Sequence, residues 1–285
     1  MDYGETPATG LEKLMRHSRV QVLVSQRLRI GREWKFDLCS PFWRLYVNDR
    51  SGAFLHHQGR RLPLAAGTPW IIPAWMRFQT SLQRPVTQDF IHFQVTGPLT
   101  RSVERRMSSP VRLQSGIPLS PLIERWRGGL DRMNFSHFCW ANATAHAALA
   151  VAFAGWTTDD QHAELRLLAE HEAVQPALDC IDRHPEAPPS NPDLARLCGT
   201  SEDHFIRKFR SATGSTPAGY GRKQRISLAA EWLTGTNRTL DDIAEASGFT
   251  DRFHFSRVFK AQLGFPPATY RRTHRIQDNP EISQR

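Results

Sequence analysis

Arg252, His254, Ser256, Arg257 and Lys260 surround two phenylalanines, Phe255 and Phe259, set four residues apart. Residues four apart share one helical face, so the two rings bury together and the polar groups are left on the other faces. A short helix carrying guanidinium, imidazole, hydroxyl and ammonium groups suits a polyanion. Cationic heads meet phosphate oxygens, and a fork of N–H groups pairs with a base edge. The residues ahead of this helix say how it is held. Ala244 is small where two helices cross closely, and Gly248 lets the chain enter a left-handed turn between them. Thr250 is expected to cap the second helix by accepting a backbone N–H. Together these residues spell a helix-turn-helix.

The pattern occurs twice. Phe209, Gly214, Pro217 and Tyr220 recur fifty positions later as Phe259, Gly264, Pro267 and Tyr270. Ala195 and Gly199 recur forty-nine positions later as Ala244 and Gly248, so the second copy carries one extra residue in its turn or helix entry. A lone helix-turn-helix match is weak, and its duplication makes it strong. The two units are expected over 192–213 and 240–263. A central helix from about Ala218 to Leu233 separates them, with Ile226, Ala229 and Leu233 at helical spacing and Thr216-Pro217 as its start. Asp241-Asp242 reads as an acidic first turn favoured by the helix dipole, with Thr239 as the cap. Phe205, Phe209, Phe255 and Phe259 are assigned to the core.

A tandem repeat ending in Gly-x-x-Pro-x-x-Tyr, with Ala-x-x-x-Gly-Phe and Phe-Ser-Arg-x-Phe-Lys in the second copy, resembles the AraC/XylS family of bacterial transcription regulators. The resemblance covers about Ala173 to His274. It implies two helix-turn-helix units flanking a long central helix, each inserting a recognition helix into the DNA major groove. Carried over residue by residue, the base-reading positions are Asp203, Ile206 and Arg207 in the first unit, and Phe253, His254 and Arg257 in the second. Arg210, Arg252, Ser256 and Lys260 are expected beside them at the DNA. Arg271 and Arg272, beyond the last core aromatic, are expected to contact phosphate. Ile206 departs from the polar residue often found at its position, where a thymine-methyl contact replaces a hydrogen bond. The partners implied are double-stranded promoter DNA, a small-molecule effector, RNA polymerase and a second copy of the chain.

The rest of the chain bounds this reading. At 285 residues it suits two domains, and a net charge of +9 favours a polyanionic partner. Charge alone does not locate the DNA face, because arginines also crowd the stretch between Arg16 and Arg61. Cys39, Cys139, Cys180 and Cys198 are scattered without metal spacing and read as reduced thiols of a cytoplasmic protein. Met1–Glu5 lacks the layout of a signal peptide. The Ala-rich run 141–156 is interrupted by Asn142, Thr144 and His146 and is too short to span a membrane, so no membrane partner is expected.

The fold class expected is α+β in two domains. Residues 1–165 should form an antiparallel cupin-like β-barrel with flanking helices, and residues 172–277 an all-α DNA-binding domain. Between Val20 and Thr96 short runs alternate with turn residues: Val20–Val24, Trp43–Val47, Ala53–His57, Leu62–Leu64, Trp70–Ile72 and Phe90–Val95. The string Tyr46-Val47…Gly52…Gly59-Arg60…Leu64…Gly67…Ile71-Ile72-Pro73 also resembles the cupin-like sensor domain that precedes many such DNA-binding units. Pro118 to Trp156 reads as two helices broken near Gly128-Gly129, the second either covering the barrel or pairing with a second subunit. A helical stretch from Asp159 to about Ala173 joins the domains, and Pro185, Pro188, Pro189 and Pro192 stiffen the approach to the first helix-turn-helix.

No enzyme chemistry is expected. A Gly-rich phosphate loop, a nucleophile elbow and a Ser-His-Asp grouping are all missing from the sequence. His56, His57 and His92 invite a metal reading in a barrel, but adjacent His56 and His57 point to opposite strand faces and no carboxylate follows at suitable spacing. Neither metal nor cofactor is therefore expected. A fused DNA-repair methyl acceptor would need clustered metal-binding cysteines, and Cys39 is isolated. Trp34, Phe42, Trp43, Trp70, Trp75 and Phe78 are either barrel core or the wall of an effector pocket for a sugar or small aromatic compound. Trp43, Arg44, His57, Trp75 and His92 are the effector-contact candidates. A barrel serving only dimerisation or partner binding stays open beside that reading.

Overall fold

In a computed structural model the described residues are 18–97, 100, 106–113, 119–131, 134–157, 159 and 170–278. The expectation for Met1–Glu5 and most of the joining helix over 159–173 lie outside them. The chain divides into two compact units, one chiefly Arg19–Val95 with Val103–Trp156, the other chiefly Thr157–Arg271.

Among the described residues the first unit has nine strands in two sheets. They are β1 (Arg19–Ile30), β2 (Asp37–Leu38), β3 (Trp43–Asn48), β4 (Ala53–His57), β5 (Arg60–Leu64), β6 (Trp70–Ile72), β7 (Phe78–Leu82), β8 (Val86–Thr96) and β9 (Val111–Arg112). One sheet runs β1-β8-β3-β6-β9 and the other β2-β7-β4-β5. β3 pairs antiparallel with β8 from Trp43↔Phe93 to Asn48↔Gln88, and with β6 across Arg44↔Ile72. Between β4 and β5, Gln58 (φ 48°) and Gly59 (φ 74°) make a two-residue hairpin turn. Positive φ at both places matches the right-handed twist of the flanking strands. Leu28, Ile30, Tyr46, Leu55, Trp70, Ile72, Phe78 and Phe90, drawn from both sheets, fill one core together with Trp34 from the segment between β1 and β2. Each such side chain contributes roughly 1.5–3 kcal/mol by leaving water.

Two helices, α1 (Ser120–Gly128) and α2 (Phe135–Phe153), break at Gly129 as the glycine pair suggested. Asn134 caps α2 by accepting from the His137 amide. The pair covers the sheet: Trp126 Nε1 donates to Ser25 Oγ at 2.7 Å, and that oxygen lies 2.9 Å from His137 Nε2. Asp89, fully buried, is held by Arg27 at 2.7 Å and by Arg127. A buried carboxylate is tolerable because two guanidinium groups replace its water.

The second unit is helical: α3 (Gln175–Arg183), α4 (Asn191–Leu197), α5 (Glu202–Thr213), α6 (Pro217–Gly235), α7 (Leu240–Ala246), α8 (Arg252–Leu263) and the start of α9 (Pro267–Asp278). Ser190, Thr216 and Thr239 cap α4, α6 and α7, and Thr239 forms a reciprocal capping box with Asp242. Thr250 does not cap α8. Asp251 does, its carboxylate accepting from the His254 amide at 2.7 Å, because the helix starts one residue later than expected. Gly214 (φ 74°) and Gly264 (φ 84°) end α5 and α8 in the left-handed conformation. Among the described residues no helix is long and apolar enough to cross a membrane.

Candidate nucleic-acid interface

The two copies of the motif fold alike. α4–α5 and α7–α8 are the helix pairs, with Gly199 (φ 63°) and Gly248 (φ 74°) in their turns. Across the first nine residues of α5 and of α8 the pattern of buried and exposed positions is the same. Phe205 and Phe209 bury with ring centroids 5.5 Å apart, and Phe255 and Phe259 bury 5.4 Å apart. That packing turns Asp203, Arg207 and Arg210 outward on α5, and Phe253, Arg257 and Lys260 outward on α8. Positions i, i+4 and i+7 form one stripe down a helix.

On α5, Asp203, Ile206, Arg207, Arg210 and Ser211 surround a shallow depression of about 450 Å³. Ile206 is half-buried on the flank of the stripe, at the place Ser256 holds on α8. Arg207 Nη2 lies 2.7 Å from His204 Nδ1. His254 is half-buried against Phe249, with ring centroids 5.6 Å apart. Arg252 meets Asp241 at 3.3 Å, both side chains largely in solvent. Such a pair is worth at most about 1 kcal/mol and yields readily to a phosphate. Arg271 donates to the Arg238 carbonyl at 2.6 Å, which ties the start of α9 to the loop before α7, and Arg272 is exposed.

Arg225, Asp182 and Gln224, which sequence reasoning did not single out, join Tyr220 of the repeat in holding the stripes in place. Arg225 of α6 donates to the Gly248 carbonyl at 3.0 Å and sets its guanidinium over the Phe249 ring at 5.2 Å. Burial pulls the Arg225 pKa down, with Arg222 adding to the effect. Tyr220 OH donates to Asp182 at 2.8 Å, and Gln224 donates to the same carboxylate, joining α6 to α3. Burial raises the Asp182 pKa, and burial and then the Asp182 charge raise that of Tyr220 well above its ordinary value. No periodicity marks these contacts, since each needs two elements brought together by the fold.

The first unit carries a separate cavity of about 830 Å³, lined among others by Asp37, His56, His57, Trp75, Phe78 and Met107. His57 reaches two carbonyls, those of Arg77 and Ser108, each at 2.9 Å from a ring nitrogen. Arg77 pairs with Asp37 at 2.9 Å. Gln58 and Trp75 (φ 63°), the two non-glycine residues with positive φ among those described, both line this cavity. Gln58 owes its φ to the hairpin turn, whereas a bulky residue such as Trp75 held in that region is of the kind that clusters at functional clamps. Of the five effector-contact candidates, His57 and Trp75 come together here. Trp43, Arg44 and His92 are instead buried in the β3–β8 pair, where His92 packs 4.8 Å from Phe42 and 4.7 Å from Phe90. Among the described residues no three His, Cys, Asp or Glu side chains are placed to hold a metal.

A family model described as a helix-turn-helix domain matches residues 194–273. The regulatory protein SoxS of Salmonella typhimurium is 33% identical over 85 residues, which cover 30% of this chain and 79% of SoxS. A Streptomyces lividans protein described as an AraC-like transcription regulator is 35% identical over 76 residues, 27% of this chain and 25% of its own. The chain belongs to the AraC family. Its fold also resembles that of ToxT from Vibrio cholerae, solved with (E)-4-(8-methylnaphthalen-1-yl)but-3-enoic acid bound. That match has a TM-score of 0.53 at 13% identity and covers 90% of this chain and 98% of ToxT. The AraC-family assignment makes the protein a DNA-binding transcription regulator, and the ToxT likeness gives the two-domain fold.

Proposed function

We propose that this AraC-family regulator binds a specific promoter operator by setting α5 and α8 into two successive major-groove segments on one face of the duplex. The segments would lie about one helical turn, roughly 34 Å, apart. The observation that carries this is the matching outward stripe, Asp203-Arg207-Arg210 on α5 and Phe253-Arg257-Lys260 on α8. Ile206, His254 and Ser256 flank the stripes and complete the base-facing set. Arg252, Arg271 and Arg272 sit outside them and supply phosphate contacts, which fix register without reading sequence.

Footprinting of the full chain on an operator selected from a random duplex pool should show two protected major-groove patches. Arg207→Ala and Arg257→Ala should each cost about 1–3 kcal/mol at the operator and relax one base position. Arg272→Ala should weaken all sequences about equally. Protection of a single groove segment, or equal loss on operator and random DNA for the first two variants, would reject the reading.

For the first unit, we infer that a small molecule binds in the cavity beside His57 and Trp75 and shifts operator affinity. RNA polymerase is the partner through which the bound regulator would then act. The strained backbone on the cavity wall supports this, and ToxT with an organic acid bound is a precedent in the same fold. Trp75→Gly removes the indole while tolerating positive φ, so the response to a ligand found by thermal shift should vanish without loss of basal operator binding. A second reading, that this unit also joins two copies, is favoured by Phe135 and Phe138 on α2, which are 91% and 60% exposed. Two such rings one helical turn apart form a contiguous apolar patch, and a patch of that kind marks a contact surface.

A further inference from the structure

Phe253 is 85% exposed, and it stands in the first turn of α8, the turn that in a recognition helix lies closest to the base edges. A phenyl ring donates and accepts no hydrogen bond, so it cannot read the N or O atoms of a base edge. One base-edge group in the major groove is apolar, the C5-methyl of thymine. We propose that Phe253 selects a thymine in the operator half-site read by α8, by covering that methyl group. This rests on the operator-binding reading above and adds the base that one side chain demands.

The repeat supplies the contrast. Fifty positions earlier, at the equivalent place on α5, stands Asp203, also exposed. A carboxylate there is suited to the amino group of cytosine and indifferent to a methyl. The half-sites therefore ask different things at corresponding positions. The operator is directional although the protein motif is duplicated. Phe253 is also well suited to a clean substitution, because a side chain in solvent holds no part of the core that Phe255 and Phe259 build.

The test uses the full chain and an operator selected from a random duplex pool, with each thymine replaced in turn by deoxyuridine. Deoxyuridine removes only the methyl and keeps every hydrogen-bonding group. One replacement in the α8 half-site should weaken binding about four-fold, the worth of one buried methyl group. Phe253→Ala should bind the thymine operator more weakly and lose this uracil penalty, since the two changes remove one contact and cannot add. Phe253→Asn should shift the preferred base at that position toward adenine, whose edge pairs with an amide. A selected operator with no uracil penalty, or a penalty that persists in Phe253→Ala, overturns the proposal and leaves operator binding standing. If Phe253→Ala leaves operator affinity unchanged, the ring serves something other than base reading and the proposal fails. Failure to select any sequence overturns the operator reading itself.

Discussion

Gly248 and Glu186 approach so closely that a Cβ added at Gly248 would lie 2.0 Å from the Glu186 carbonyl oxygen. The turn of the second helix-turn-helix thus rests on the backbone of the proline-rich segment ahead of the first. Arg225 reaches the same turn from α6 through the Gly248 carbonyl. Both recognition helices are thereby referred to one scaffold: α8 through Gly248, and α5 through Phe209, whose ring packs 5.7 Å from that of Tyr220 on α6. Two stripes that read DNA as proposed need a fixed distance between them, and these contacts tie both to α6.

Gly248→Ala should therefore be far more damaging than Gly199→Ala, although both glycines have positive φ in equivalent turns. At Gly199 a Cβ meets open space, so the cost is the left-handed conformation alone, about 1–2 kcal/mol. At Gly248 the same strain is joined by overlap with backbone that cannot rotate away. A total on the order of 3 kcal/mol or more is expected, with a matching loss of operator affinity. Chemical denaturation of the two variants side by side checks this. Equal destabilisation would mean that the linker moves aside freely and does not set the spacing.

Acid should loosen the barrel unit in a range where carboxylates are still charged. Burial, and then the Arg44 guanidinium, holds the His92 pKa well below its ordinary value, and burial lowers that of His137. The native state thus resists protonation of both rings, that of His92 the more strongly, whereas the unfolded chain takes up protons once pH falls below about 6.5. The sign follows: stability is full above that pH and declines as pH drops below it, by up to about 1.4 kcal/mol per pH unit for a fully displaced histidine. Melting of the full chain between pH 7.5 and pH 5, followed by tryptophan fluorescence, should show a shallower decline for His92→Asn than for the parent, whatever its starting stability. Parallel slopes would mean that His92 takes a proton as easily in the folded state.

How much of this was legible depended on whether one element or two carried the signal. Helices α5 and α8 were readable because Phe205/Phe209 and Phe255/Phe259 announce a buried face within a single helix, and the repeat announces it twice. The capping of α7 by Thr239 was readable for the same reason, while at α8 two adjacent residues, Thr250 and Asp251, both suit a cap and only the structure chooses. In the barrel, alternation in β1 and the turn at Gln58-Gly59 marked real strands. β7 escaped notice because Trp75, Met76 and Arg77 run into it without a turn signal, and β2 and β9 are two residues each. β3 is buried on both faces, so alternation there says nothing about which side chains point into the core. That is why Trp43 and Arg44 are packed away from the cavity that His57 and Trp75 share. Gly248 against Glu186 joins residues more than sixty positions apart, and no local pattern reports it.

The exposed rings of α2 lead to the remaining prediction. Phe135 and Phe138 are one turn apart at the start of the helix, while His137 between them is buried against Ser25. The buried side of α2 is thus already committed to the barrel, and the two rings face away from it. A self-complementary dimer would use each ring twice, once per protomer, so removing them should have a large effect. In sedimentation the full chain should dimerise at micromolar concentration, and Phe135→Glu with Phe138→Glu should weaken association by roughly a hundred-fold through lost apolar burial and like-charge repulsion. Melting should change little, because both rings are in solvent in the single chain. The double variant should also bind one operator half of a paired site as well as the parent does, yet lose cooperative filling of both. A parent chain that sediments as a monomer, or a double variant that dimerises undiminished, would remove α2 as the contact between copies.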